Sequence, residues 1–198
     1  MSLICSATEL ARRLGQGEPG LFPTDTLPAL ASQPEAAARL WELKQRPSEK
    51  PVILMAASAE PLFSALGVPI DPAWHTLAQQ HWPGALTLVL PAQGELVEQL
   101  NPGGTTLGLR VPNCERALEL LRLTGPLATT SANHSGKPAC LTAEEAARQF
   151  PQVAQLGPLP WPMPSGLGSS VIAWQDGGQW KLLRRGAVLP EEINPSGR

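Results

Sequence analysis

Proline and glycine recur so densely along this chain that little room is left for a long regular element: 22 prolines and 18 glycines are spread over 198 residues, and tyrosine is absent. Proline fixes φ and donates no backbone hydrogen bond, so it is kept out of helix interiors and central strands. Many short elements joined by turns are therefore expected, with few long helices. The length suits one domain over residues 1–198, because a single core still grows at that size. Only 16% of residues are charged and 42% are hydrophobic, against about 25% charged in ordinary soluble domains. A buried core is readily supplied, and disorder is not expected.

Local pattern places the elements. Ser6-x-x-Glu9 has the form of a capping box, and Ala7, Leu10, Ala11 and Leu14 recur behind it at helical spacing until Gly15 and Gly17. Leu21-Phe22-Pro23 reads as a short strand. Pro34 to Leu43 reads as a second helix, with proline in its first turn and Lys44 and Arg46 at its end, where cations complement the helix dipole. Val52 to Ala57, Leu86 to Leu90, Leu107 to Val111, Leu127 to Thr130 and Val171 to Trp174 are short apolar or β-branched runs bounded by Pro or Gly, as strands are. Helical patterns over Asp71 to Gln80, over Glu115 to Leu123 and behind the capping box Thr142-x-x-Glu145 lie among them, giving a mixed α/β chain without repeats. Pro151 to Gly168 has little periodicity and is expected to be a long surface loop able to cover a site.

Several function classes are disfavoured. A formal charge of −2 supplies no overall field for a polyanion, so any RNA link is expected to be indirect. Cys5, Cys114 and Cys140 fit neither a disulfide framework nor zinc spacing and read as reduced thiols. No signal segment and no apolar run near the ~18–20 residues that span a bilayer are present, so a cytoplasmic protein away from membranes is expected. His75 and His81, beside Trp74 and Trp82, read as partly buried structural residues without ligand-spaced partners, and no protein-bound metal is expected.

There is no Gly-Lys-Ser/Thr phosphate loop, no G-x-G-x-x-G and no H-E-x-x-H. Instead, polar clusters stand at the ends of expected strands, where ligands sit in open α/β sheets. Pro23-Thr24-Asp25-Thr26 offers hydroxyls to a ligand, or an Asx or Ser/Thr turn. Lys44-x-Arg46 with Lys50 offers cations to phosphates, or a solvated helix end. Thr129 to Gly136 is a dense run of hydroxyl and amide groups directly after a strand, suited to a ligand or to a polar loop. Arg110 closes another strand and is joined by Ser169-Ser170 and Arg184-Arg185-Gly186; an arginine there clamps a carboxylate or phosphate, or pairs at the surface. Ser131 with His134 suggests a hydrolase, but the G-x-S-x-G elbow is missing.

Taken in order, Phe22 to Thr26, Leu43-Lys44-Gln45-Arg46-Pro47 with Lys50-Pro51, Trp82 to Thr87, Leu109-Arg110-Val111-Pro112, Thr130 to Gly136, Gly168-Ser169-Ser170 and Leu183 to Gly186 resemble the threonylcarbamoyl-AMP synthase family, also called the YrdC/Sua5 family, in its short single-domain form. The resemblance spans most of the chain. It implies a twisted open mixed α/β sheet with flanking helices around a concave, positively lined cavity. It also implies that threonine, bicarbonate and ATP give threonylcarbamoyl-AMP and pyrophosphate for tRNA modification. By the same resemblance Lys44 and Arg46 are the catalytic residues; Arg46, Lys50, Thr106, Asn133, Thr142 and Arg184 contact ATP; and Thr24, Thr26, Arg110, Ser131 and Ser169 hold threonine, Arg110 at its carboxylate. Mg²⁺ accompanies the triphosphate. The product passes to separate tRNA-transfer proteins, because the extra C-terminal domain of longer members is expected to be absent.

The chain departs from the family pattern at three places. Leu27, Pro28 and Ala29 replace a small aliphatic, an aromatic and a glycine; Met55 falls where longer members carry a histidine; and Ser169-Ser170 follow Gly168 rather than an acidic residue. Pro28 removes an amide donor, so the loop beside the threonine pocket is expected to run differently. The rival implied by these changes is a diverged, non-catalytic relative that binds RNA, weakly, or nucleotide through the same cavity.

Overall fold

The structure is a computed structural model describing residues 3–193. In chain order the elements are β1 (Ile4–Cys5), α1 (Ala7–Gly15), β2 (Gly20–Phe22), β3 (Ala29–Ser32), α2 (Ala38–Lys44), β4 (Ile53–Met55), α3 (Ala59–Ser64), α4 (Pro72–His81), β5 (Leu86–Pro91) and α5 (Glu95–Leu100). They continue with β6 (Thr106–Arg110), α6 (Glu115–Thr124), β7 (Leu127–Ser131), α7 (Ala143–Gln149), β8 (Ala154–Leu156), β9 (Ser170–Gln175) and β10 (Gln179–Arg184). Among the described residues the longest helices have 10 residues and the longest strands 6, as the spacing of proline and glycine requires.

Among the described residues all ten strands form one open sheet in the order β1-β8-β2-β3-β7-β4-β6-β5-β9-β10. β8 lies parallel to β1 and β2, β4 to β6, and β5 to β9; the other pairings are antiparallel. Side chains alternate between the faces of a strand. Leu54, Leu86, Leu88, Leu90, Leu107, Leu109 and Ile172 therefore share one face, where they pack with Leu40, Trp41, Leu62, Phe63, Trp74, Leu77, Val97 and Leu100 from α2 to α5. On the other face Phe22, Ala29, Ala31, Met55 and Leu127 are covered by Leu10 and Leu14 of α1 and by Ala117, Leu120 and Leu121 of α6. That second cover stops short of β5, β6 and β9. There Val89, Thr106, Gly108 and Val171 are only half-buried, and this open half of the face leads to the site.

Four expectations are corrected. The helix expected from Pro34 is broken into a 3-10 turn, Pro34–Ala36, followed by α2. Pro151 to Gly168 is not one surface loop: β8 within it is buried between β1 and β2, and Trp161 is buried with its Nε1 donating to Leu156 O at 2.6 Å. The Pro-rich remainder does run along the surface. His75 is exposed against the Phe63 ring, 4.5 Å between centroids, rather than partly buried, whereas His81 is half-buried as expected. β1, β3 and β10 join the sheet although no strand is predicted there. Among the described residues no helix is long and apolar enough to cross a membrane.

Candidate functional site

A cavity of about 190 Å³ opens among the ends of β3, β4, β6, β7, β9 and β10. Arg46, Arg110 and Arg184 project into it; Thr26, Thr129, Thr130, Ser131 and Ser169 add hydroxyls; Leu27, Pro28, Ala29, Pro51, Ile53 and Met55 make an apolar wall. One side of the cavity thus suits an anion and the other an aliphatic group.

Arg110 is the most constrained of the three arginines. Only 2% of its surface is exposed. Its Nε donates to Gly84 O at 2.9 Å, its Nη1 to Thr26 Oγ1 at 2.7 Å and its Nη2 to Asp25 Oδ1 at 2.6 Å. The same Asp25 oxygen accepts from the Asn113 amide at 3.0 Å. Burial lowers the Arg110 pKa, and the Asp25 charge works against that loss. Arg46 donates to Thr130 Oγ1 at 3.1 Å and to Pro51 O at 2.9 Å, while its buried Nε has no partner. Arg184 donates to Ser169 O at 2.8 and 3.2 Å and to Ser169 Oγ at 3.2 Å. Among the described residues no carboxylate pairs with Arg46 or Arg184, and burial alone lowers the pKa of each.

Lys44 turns inward. Its side chain is buried, and Nζ donates to Ser131 O and Asn133 O, each at 2.5 Å. Ser131 Oγ in turn donates to Asn133 Oδ1 at 2.6 Å, and the Ser135 amide donates to Lys44 O at 2.9 Å. Gln45, at φ 51° and ψ 50°, ends α2 in the left-handed region. The chain reverses there, so Lys44 pins the 131–135 loop from beneath while Arg46 reaches the cavity. Burial, and then the Arg46 charge, push the Lys44 ammonium down to about 8.

The cavity therefore collects Arg46, Arg110, Arg184, Thr26, Ser131 and Ser169 from the residues singled out by the sequence. It does not collect the others. Thr24 is buried in the turn before β3, where Oγ1 donates to Leu27 O at 2.7 Å and accepts from the Thr26 and Leu27 amides. Asn133 is engaged within its loop, donating to His134 O and Lys137 O. Thr142 caps α7, accepting from the Glu145 amide at 3.2 Å. Lys50 is exposed in the turn after Arg46. Thr106 stands at the far end of β6, yet it shares a face with Gly108 and Arg110 by strand alternation, so the uncovered face joins it to the cavity. Ile53 is a contributor that the sequence did not single out as a site residue; Asp25, Thr130 and Met55 stood in places that it did single out, but without a role of their own. For Asp25 the available signal was its place between Thr24 and Thr26.

An open mixed α/β sheet with an arginine-rich, hydroxyl-lined cavity at its strand ends defines a class of anion-binding protein. The family model covering Sua5, YciO and YrdC proteins, described as telomere recombination, matches residues 12–186. The threonylcarbamoyl-AMP synthase of Bacillus subtilis (strain 168) is 35% identical over 192 residues, which is 93% of this chain and 54% of the relative. The threonylcarbamoyl-AMP synthase of Klebsiella pneumoniae subsp. pneumoniae is 38% identical over 138 residues, 65% of this chain and 70% of the relative. The structure of Sua5 from P. abyssi complexed with L-threonine superposes with a TM-score of 0.82 at 30% identity, over 94% of this chain and 57% of that one. The chain thus spans about half the length of the B. subtilis relative. It belongs to the Sua5/YciO/YrdC family.

Proposed function

We propose that the chain is an L-threonylcarbamoyladenylate synthase, a nucleotidyltransferase serving tRNA modification. Relatives bearing that name, and a threonine complex on the same fold, support the reading. The observation in this molecule that carries it is the convergence of three arginines on one cavity, with Arg46 Nε buried and unpaired. A buried donor without a partner is costly, and a ligand oxygen removes that cost.

In this reading Arg110 takes the threonine carboxylate, Thr26, Ser131 and Ser169 surround the amino acid, and Arg46 and Arg184 take phosphate groups. Lys50, Thr106, Asn133 and Thr142 complete the nucleotide site along the uncovered face and the adjoining loops. The threonine amine takes up CO₂ from bicarbonate as a carbamate. A carbamate oxygen attacks the α-phosphorus and pyrophosphate leaves. Such a step depends on positioning and on charge stabilisation rather than on a covalent enzyme nucleophile, which fits a cavity in which Ser131 is bonded to Asn133 and not to a base. The lining offers no carboxylate; Mg²⁺ enters as part of the MgATP substrate, where it offsets triphosphate charge. The product then goes to separate proteins that act on tRNA.

The test is pyrophosphate release by the protein with MgATP and bicarbonate, with and without L-threonine, beside an Arg46→Ala control. Threonine-dependent release that the control lacks is expected. Nucleotide binding without threonine-dependent release would leave the non-catalytic relative as the better description.

A further inference from the structure

Charge is divided unequally across the cavity. Arg110 is matched by Asp25 at 2.6 Å, with side-chain exposures of 3% and 17%, whereas among the described residues Arg46 and Arg184 hydrogen-bond to uncharged groups. A buried ion pair is close to neutral from outside, while an unpaired guanidinium in the same low-dielectric cavity attracts anions strongly. Asp25 is itself held in place. Its Oδ1 accepts from the Asn113 amide, and its own backbone carbonyl and that of the following Thr26 accept from the Ser165 and Gly166 amides at 3.0 and 3.2 Å. With Thr26 Oγ1 and Gly84 O on its other nitrogens, the Arg110 guanidinium has one orientation. Three of its five N–H donors are used by these partners, and Arg110 is among the residues lining the cavity, which leaves two donors for a ligand there.

We propose that Asp25 is a positioning and specificity residue: it fixes the Arg110 guanidinium and cancels its charge, so that phosphate groups go to Arg46 and Arg184 and the Arg110 side is kept for the amino-acid carboxylate. Two anionic substrates meet in one small cavity. Without such a division pyrophosphate or phosphate would occupy all three arginines, and the amino acid would be excluded. A carboxylate still binds the paired Arg110 because planar bidentate geometry rewards it, whereas a phosphate, drawn chiefly by net charge, gains little there. The inference rests on the reading that Arg110 receives the amino acid, and its test has one arm that needs no turnover.

That arm titrates inorganic phosphate against the full chain and its Asp25→Asn variant, which keeps the acceptor for Asn113 and removes the charge. The variant is expected to bind phosphate about tenfold more tightly, as one added net cation at contact distance allows. Equal affinity in the two proteins would overturn the proposal. In steady-state pyrophosphate release Asp25→Asn should raise the threonine KM about tenfold without raising the ATP KM, with added phosphate now competitive against threonine. Asp25→Glu, which keeps the charge but displaces it, is expected to raise the threonine KM without gaining phosphate affinity; a wild-type threonine KM in that variant would contradict the positioning role. If no protein releases pyrophosphate, the proposed function fails while the phosphate titration still decides the role of Asp25.

Discussion

Lys44 and Arg46 sit two positions apart and do different work. Arg46 faces the cavity, so Arg46→Ala is expected to weaken ATP binding by about 10- to 100-fold, the scale of a lost charge-assisted contact, while changing the unfolding midpoint little; calorimetric titration with denaturant melts checks both. Lys44 is buried, with its pKa pushed down to about 8 against about 10.4 in an unfolded chain. Between those values the unfolded state binds the extra proton. The Lys44 contribution to stability should therefore rise with pH from about 8 to about 10.4, and below that window the full cost of the buried ammonium is present. Burial pushes the Cys140 thiol up to about 11 and gives the opposite slope above about pH 9. The Lys44 slope is therefore read as the difference between denaturant melts of the wild-type protein and Lys44→Met at stepped pH, and it should be positive across the window. The sequence displayed Arg46, Arg110 and Arg184 individually. It did not display the pairing of Arg110 with Asp25, 85 positions away, because that contact depends on the register of β6 against the turn before β3.

At the scale of elements, α7 and the segment after β10 carry separable predictions. Thr142 is the N-cap of α7, so Thr142→Ala should cost about 1 kcal/mol of stability. If Thr142 also contacts nucleotide, the ATP KM rises as well; a stability loss with an unchanged ATP KM assigns it to the cap alone. Gly186 packs so closely that an added Cβ would fall 2.2 Å from Gly168 O and 2.4 Å from Ser169 C. Gly186→Ala is thus expected to cost about 1–3 kcal/mol and, by displacing Ser169, to raise the threonine KM. The strands with apolar, β-branched runs were legible: β5, β6 and β9 fall within a residue of where pattern puts them. β3 and β8 were not, because Ala29–Ser32 and Ala154–Leu156 are buried throughout and small or polar in part, so they show neither alternation nor strong β-propensity. β10 is an exposed edge strand, and an edge needs less of the apolar pattern that reveals a strand.

For the whole molecule, the formal charge of −2 hides a local reversal of sign at the cavity. Under the proposed function, two arginines without an ion-pair partner among the described residues make nucleotide affinity sensitive to screening, whose range shrinks from about 30 Å at 0.01 M salt to about 8 Å at 0.15 M. ATP affinity should fall over that range while threonine affinity, read at the paired Arg110, moves little; titrations at both salt concentrations check this. The family pattern was legible as seven ordered segments although Leu27, Pro28 and Ala29 depart from it, and the structure carries that departure as part of the apolar wall, with Pro28 O accepting from the Ala132 amide at 2.8 Å. The most direct test of the account follows the carbon. With ¹³C-bicarbonate, MgATP and L-threonine, mass spectrometry of the reaction should show an adenylate carrying the label, formed only when threonine is present. An unlabelled adenylate, or none while ATP still binds, would contradict the assignment of this cavity to carbamate-dependent adenylyl transfer.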